Sequence, residues 1–308
     1  MININRVKYL IAGAALLLTG TISAQQDPMY TQYMFNLLAV NPAYAGSHGA
    51  LNVTGLYRNQ WVGVEGAPST QTLFAHSPFI KKNIGLGLTV VNDKIGPVRQ
   101  TMLFADYSYT IRVSANTKLA MGLKAGINML KTSFSDVELT QTNDQSFVDE
   151  PLSPQPNFGF GLYLYSEKYY VGVSVPKLLK NKLEQTIDYS KITLQQHFFI
   201  MGGYVFTIND KLKFKPTSLI KMTGGAPMSL DLTASILYRE KLWLGIGHRF
   251  GDSFGALIQF QVSPQLRLGY SFDQTLSQMA RYNSGSHEIM FTYDFIFKKD
   301  KIISPRYF

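Results

Sequence analysis

Across residues 50–297 apolar and polar side chains alternate with a period of two, and this rhythm confines most of the chain to β-strands. Leu119, Met121, Leu123, Ala125, Ile127 and Met129 share one face of a segment whose other face carries Ala120, Gly122, Lys124, Gly126 and Asn128. Leu266, Leu268, Tyr270 and Phe272 stand against Arg267, Gly269, Ser271 and Asp273 in the same way. In the last such segment Ile289, Phe291, Tyr293 and Phe295 oppose Glu288, Met290, Thr292 and Asp294. Charge collects on the polar faces and is nearly absent from the apolar ones. After residue 24 no run approaches the roughly 18 apolar residues of a membrane helix.

Two architectures use such ribbons. A secreted sandwich buries its apolar faces against each other, whereas a transmembrane barrel turns them to lipid and keeps the polar faces inside. The links favour the barrel. Short ones at 81–83, 115–117, 167–168, 209–211, 239–241 and 264–265 alternate with mostly longer ones at 62–69, 93–98, 134–155, 177–194, 223–227 and 274–285, and a two-residue link at 251–252. Short turns on one rim and longer loops on the other are the outer-membrane pattern, with the short turns periplasmic and the long loops extracellular. The expected fold is therefore all-β, a transmembrane antiparallel β-barrel of about 14 strands preceded by a short N-terminal plug segment. The strands include 50–61, 156–166, 196–207, 212–222 and 286–297. Two places fit poorly. Pro216 cannot donate to a ladder, and the presumed lumen face of 196–207 carries Phe199 and Met201.

Residues 1–24 read as a signal peptide: basic Arg6 and Lys8, an apolar run from Leu10 to Leu18, and a small-residue ending at Ala24. Losing Arg6 and Lys8 takes the formal charge of +9 down to +7, spread without a dense block, which argues against nucleic acid as a partner. Charged residues make up 16% of the chain, below the roughly 25% of a soluble domain. The absence of Cys removes disulfides, thiolate metal sites and a cysteine nucleophile. The five His residues have no metal-ligand spacing, so neither metal nor cofactor is expected. His76 and Ser77, being adjacent on a strand, point to opposite faces and do not pair as base and nucleophile. The acidic stretch from Asp136 to Glu150 matches no EF-hand and reads as a solvated loop.

The division of the chain is 1–24 signal peptide, 25–49 periplasmic or plug segment, 50–297 barrel and 298–308 periplasmic tail. Residues 25–49 do not alternate; residues 30–38 suit two helical turns that Asn41-Pro42 ends. The segment either lies against the periplasmic side or folds into the lumen. In the lumen Tyr30, Tyr33 and Phe35 would bury their rings near Arg58, Lys124, Asp106, Asp231 and Glu288. Lys213, Lys215 and Lys221, with Lys124 and Arg267, form a candidate basic strip on the lumen side, either ordinarily solvated or a stripe for an acidic segment.

Asp27-Pro28, Gln32-Tyr33-Met34, Asn36, the run Asn41-Pro42-Ala43-Tyr44-Ala45-Gly46, then Tyr57-Arg58-Asn59-Gln60-Trp61 and the ending Pro305-Arg306-Tyr307-Phe308 resemble the PorP/SprF family. These are outer-membrane proteins of the type IX secretion system of Bacteroidetes. The resemblance implies a non-enzymatic barrel whose partners are the secretion components, outer-membrane lipid and a secreted adhesin. It would act either as a component linked to the periplasmic ring and motor complex, or as the dedicated partner of one adhesin, received through its C-terminal signal domain and helped in export or surface anchoring. The alternative is a hatch-gated channel or hydrophobic-solute transporter.

Overall fold

A computed structural model describes residues 28–79, 82–133, 150–180, 195–224 and 226–295, the side chains of 150–153 excepted. The readings of residues 1–24, Asp27, the tail 298–308 and most of the links 134–155 and 177–194 lie outside these residues.

The strands follow the alternation. β1 (Leu51–Asn59), β2 (Ser69–Phe79), β3 (Ile84–Ile95), β4 (Val98–Arg112) and β5 (Lys118–Thr132) come first. Then come β6 (Glu150–Tyr165), β7 (Tyr169–Val175), β8 (His197–Tyr204), β9 (Phe206–Asn209) and β10 (Leu212–Thr223). The last five are β11 (Ala226–Tyr238), β12 (Leu242–Arg249), β13 (Ser253–Gln261), β14 (Leu266–Thr275) and β15 (Ser286–Phe295). All pairings are antiparallel, and β15 closes on β1. β8 and β9 run end to end along β10 in one register, with Gly203 opposite Thr217 and Phe206 opposite Phe214. They are two halves of one strand, so the barrel has 14 strands.

The break lies at Val205, beside Lys215 and Pro216. Pro216 has no N–H for a neighbour, and the Val205 N–H donates to the Lys168 carbonyl at 2.7 Å. The proline stays in β10, paired with Ala234 of β11, and interrupts its neighbour instead. A second departure is that β6 begins at Glu150 rather than at 156. Pro151, Pro154 and Pro156 disguise its start, yet Ser153 pairs with Leu130 and Pro154 with Met129. β6 meets β7 only from Phe160 onward. The prolines therefore lie along an edge where no ladder on that side needs their N–H groups.

Side chains sort into two environments. Leu88, Leu103, Leu123, Ile200, Leu232, Ile246, Ile258 and Leu268 point outward and are exposed. Aromatic residues flank this band: Phe79, Tyr109, Tyr238, Phe260 and Phe295 near the short turns, Tyr57, Phe198 and Phe254 near the longer loops. An exposed apolar belt with aromatic girdles is what lipid requires and water penalises. Among the described residues no helix is long and apolar enough to cross a membrane. The opposite faces, among them Asn52, Thr54, Arg58, Asp106, Lys124, Gln259 and Glu288, are buried inside.

Candidate functional site

The lumen is occupied by the chain's own residues 28–50. Met29 lies against Lys221, whose Nζ approaches its Sδ at 2.8 Å, at the loop end of β10. The segment then descends to Gly46, whose N–H donates to His76 Nδ1 at 3.2 Å, and to His48, 3.2 Å from Asp294 at the turn end. It thus traverses the barrel from loop rim to turn rim.

Its local structure is three single 3-10 turns, Tyr33–Phe35, Leu37–Ala39 and Pro42–Tyr44, rather than the helical turns expected over 30–38. Two asparagines account for this. Asn36 Oδ1 accepts from the Leu38 N–H at 3.2 Å and Asn41 Oδ1 from the Ala43 N–H at 2.9 Å, the local bonding that competes with a continuous helix. Pro42 opens the third turn instead of ending a helix, since a first helical position needs no N–H.

Apolar contact holds the segment first. Met34, Leu37, Leu38 and Ala43 are fully buried, and Tyr33, Phe35 and Tyr44 nearly so; full burial of a Met, Leu or Phe side chain contributes about 1.5–3 kcal/mol. They meet inward-facing Phe74, Tyr163, Tyr170, Phe199, Met201 and Trp243. This gives Phe199 and Met201 their reason: their side of the lumen faces protein rather than water. Phe35 lies edge-on to Trp243 at 5.6 Å, and Tyr44 sits between His76 and Tyr163 at 5.2 and 5.7 Å. Glycines let the backbones approach. A Cβ on Gly122 would collide with the backbone of Pro42 and Ala43, and one on Gly85 with the Ala45 carbonyl.

Polar groups of many strands then satisfy the segment's backbone. Ser108 Oγ donates to the Ala45 carbonyl and Ser174 Oγ to the Val40 carbonyl, both at 2.6 Å. Asn41 Nδ2 donates to the Leu162 carbonyl at 3.0 Å. The Thr31 and Gln32 N–H groups both donate to the Glu288 carboxylate at 2.9 Å. Arg58 Nη1 ties this corner together, 2.8 Å from Thr31 Oγ1, 2.9 Å from Asp273 and 3.2 Å from Glu288. The Thr31 hydroxyl also donates to Asp273. Tyr33 has its phenol 3.3 Å from Thr217 Oγ1, and burial pushes that phenol well above its ordinary pKa.

Of the residues singled out in the sequence, Pro28, Gln32, Tyr33, Asn36, Asn41, Pro42, Tyr44, Gly46 and Arg58 belong to this segment or its seat. Gly46 adopts φ +72° and packs on Pro78 and Gly85. Gln60 and Trp61 are elsewhere, in the loop after β1: the Gln60 N–H bonds the Pro68 carbonyl at 2.9 Å and the Trp61 N–H bonds Ser286 Oγ at 3.2 Å. Of the basic residues, Lys213, Lys215 and Lys221 share one phase of β10, and each basic side chain has its own neighbours. Lys124 pairs with Asp106 at 2.9 Å, Lys213 with Glu240, and Arg267 lies 3.7 Å from Asp294. Lys215 is fully buried, its Nζ 4.6 Å from the Phe35 ring and 4.8 Å from that of Trp243. Sequence reasoning missed Arg249, which grips Asp231 through Nε and Nη2 at 2.9 and 2.8 Å. Its phase with inward Trp243 would have revealed it. Among the described residues no group of His, Asp and Glu is placed to hold a metal ion.

Two solved structures align with most of this chain. The CymD monoaromatic hydrocarbon channel aligns over 91% of this chain and 98% of its own, at 12% identity and a TM-score of 0.50. The toluene transporter TbuX of Ralstonia pickettii aligns over 90% and 95%, at 9% identity and a TM-score of 0.49. At 12% identity the likeness to CymD is one of fold alone. No curated protein matches the chain. The model of the family described as type IX secretion system membrane protein PorP/SprF matches residues 22–293. A closed 14-strand barrel with a lipid-facing belt, matched over nearly its whole length by that model, makes this chain an outer-membrane member of the PorP/SprF family.

Proposed function

We propose that this protein is a plugged, non-enzymatic barrel of the type IX machinery that assists export or surface anchoring of one secreted adhesin through the adhesin's C-terminal signal domain. The observation that carries the reading is the filled lumen. A segment bonded by Glu288, Arg58, Ser108 and Ser174 from different strands leaves the wall and loops, not an open pore, as the working surfaces. In this reading residues 1–24 are removed on export, the short turns face the periplasm and the long links after β5 and β7 lie outside. Those links are the candidate cargo contacts, since binding residues concentrate on loops over rigid scaffolds. Gln60 and Trp61 share that rim.

The test has two arms. Cells lacking the protein should lose one surface protein, and the native barrel purified from its own membrane should bring that protein or secretion components with it. An unchanged cell surface together with an empty copurification would refute the proposal. The alternative, a solute channel with the segment as its hatch, predicts steady conductance or solute uptake by the pure protein.

A further inference from the structure

Three cations stand side by side on the outer wall. Lys94 of β3 is paired with Arg99 of β4, and Arg99 with Lys131 of β5. All three are exposed and share the outward phase of their strands. Like charges directly opposite one another on a sheet repel, so the barrel is not stabilised by this arrangement. None of the three forms an ion pair with a described carboxylate.

Their height on the wall is informative. Toward the barrel middle the next outward row is Asn92, Thr101 and Met129, and the one after it is Val90, Leu103 and Ile127. Polar contact gives way to lipid contact within four residues of the cations, two outward rows down, which places them at headgroup level on the loop rim. Beside them the wall is hollow. A groove of about 460 Å³ opens over Gly55, walled by Leu73, Val90, Ile289 and Phe291, with Gln71 and Asn92 at its loop end. Asn92 lies two residues from Lys94 on the same strand and face. A Cβ on Gly55 would meet nothing within 4 Å.

We propose that the row Lys94–Arg99–Lys131 binds the headgroup of a lipid bearing two phosphates, one of whose acyl chains lies in the groove over Gly55. Cation and groove adjoin at β3 in the order in which phosphate and chain adjoin in such a lipid. Clustered Lys and Arg at a membrane surface attract anionic headgroups, and a glycine floor lets a chain approach the wall closely. The inference rests on the barrel's place in a membrane and not on its cargo.

The experiment is native mass spectrometry of the full detergent-purified barrel, incubated with diphosphoryl lipid A, monophosphoryl lipid A, phosphatidylethanolamine or inorganic phosphate. Retention of one diphosphoryl lipid A is expected, weakened about fivefold for each of Lys94→Gln, Arg99→Gln and Lys131→Gln. Gly55→Leu should weaken the lipid while leaving inorganic phosphate unaffected. Heat-shifted mobility on gels verifies that each variant is folded. Equal retention by wild type and the triple variant would overturn the proposal. So would equal retention of phosphatidylethanolamine, or competition by inorganic phosphate at the concentration of the lipid.

Discussion

The carboxylate of Glu288 on β15 accepts the backbone N–H of Gln32 at 2.9 Å, joining residues 256 positions apart. Because the adjacent N–H of Thr31 binds the same carboxylate, Glu288 fixes the segment's backbone rather than one side chain. Glu288→Ala would strand the buried Gln32 N–H and the half-buried Thr31 N–H and deprive Arg58 of a partner. Loss of one member of a buried charged set costs about 3–5 kcal/mol. The expected result is early release of the segment in urea, followed by fluorescence of Trp243 in a Trp61→Phe background, since Phe35 packs on that ring. An unchanged midpoint would contradict the role given to Glu288.

Gly122 tests the fit from the opposite wall. Gly122→Val places a branched side chain where Pro42 and Ala43 now lie. Overpacking of this kind costs about 1–3 kcal/mol, and here it falls on the segment's seat. The barrel should still insert and show heat-shifted mobility, while protease cuts faster within residues 28–50. Equal protection in variant and wild type would mean that the segment does not need this contact.

Trp243→Ala removes the ring that Phe35 and Lys215 share. Large-to-small changes of this type cost about 3–5 kcal/mol, and a buried cation would lose one of its two aromatic faces. The variant should unfold at lower urea than Tyr238→Ala, whose ring points to lipid. A larger effect at Tyr238 would reverse the assignment of inside and outside.

Alkaline pH offers a test through Tyr33. Its phenol is pushed up by burial, ahead of the opposing hydrogen bond from Thr217. A group whose folded pKa exceeds its unfolded one contributes stability that is intact below the unfolded value and is lost as pH rises toward the folded value. For a phenol the loss begins near pH 10. The Trp243 signal should therefore report loosening above about pH 10, and Tyr33→Phe should move its onset upward. An onset unmoved by Tyr33→Phe would place the sensitive group elsewhere.

The barrel wall was legible because lipid and lumen impose opposite demands on alternate residues. Leu119 to Met129 keep the same division in sequence and in space. The segment's seat was less legible, since its partners are set by closure of the barrel: Thr31 meets Glu288, and Val40 meets Ser174, across more than a hundred residues. The motif around Asn41-Pro42 suggested a helix end, because the capping by Asn36 and Asn41 acts over only two residues. Phe199 and Met201 looked anomalous only while the lumen was taken to be wet. The early part of β6 was hidden by prolines that an unpaired edge tolerates.

Single-channel recording in planar bilayers tests the central claim, that residues 28–46 occlude the barrel. The full chain should be silent, and a chain lacking 28–46 should open a steady conductance after insertion. Equal, steady conductance from both would contradict a plugged barrel.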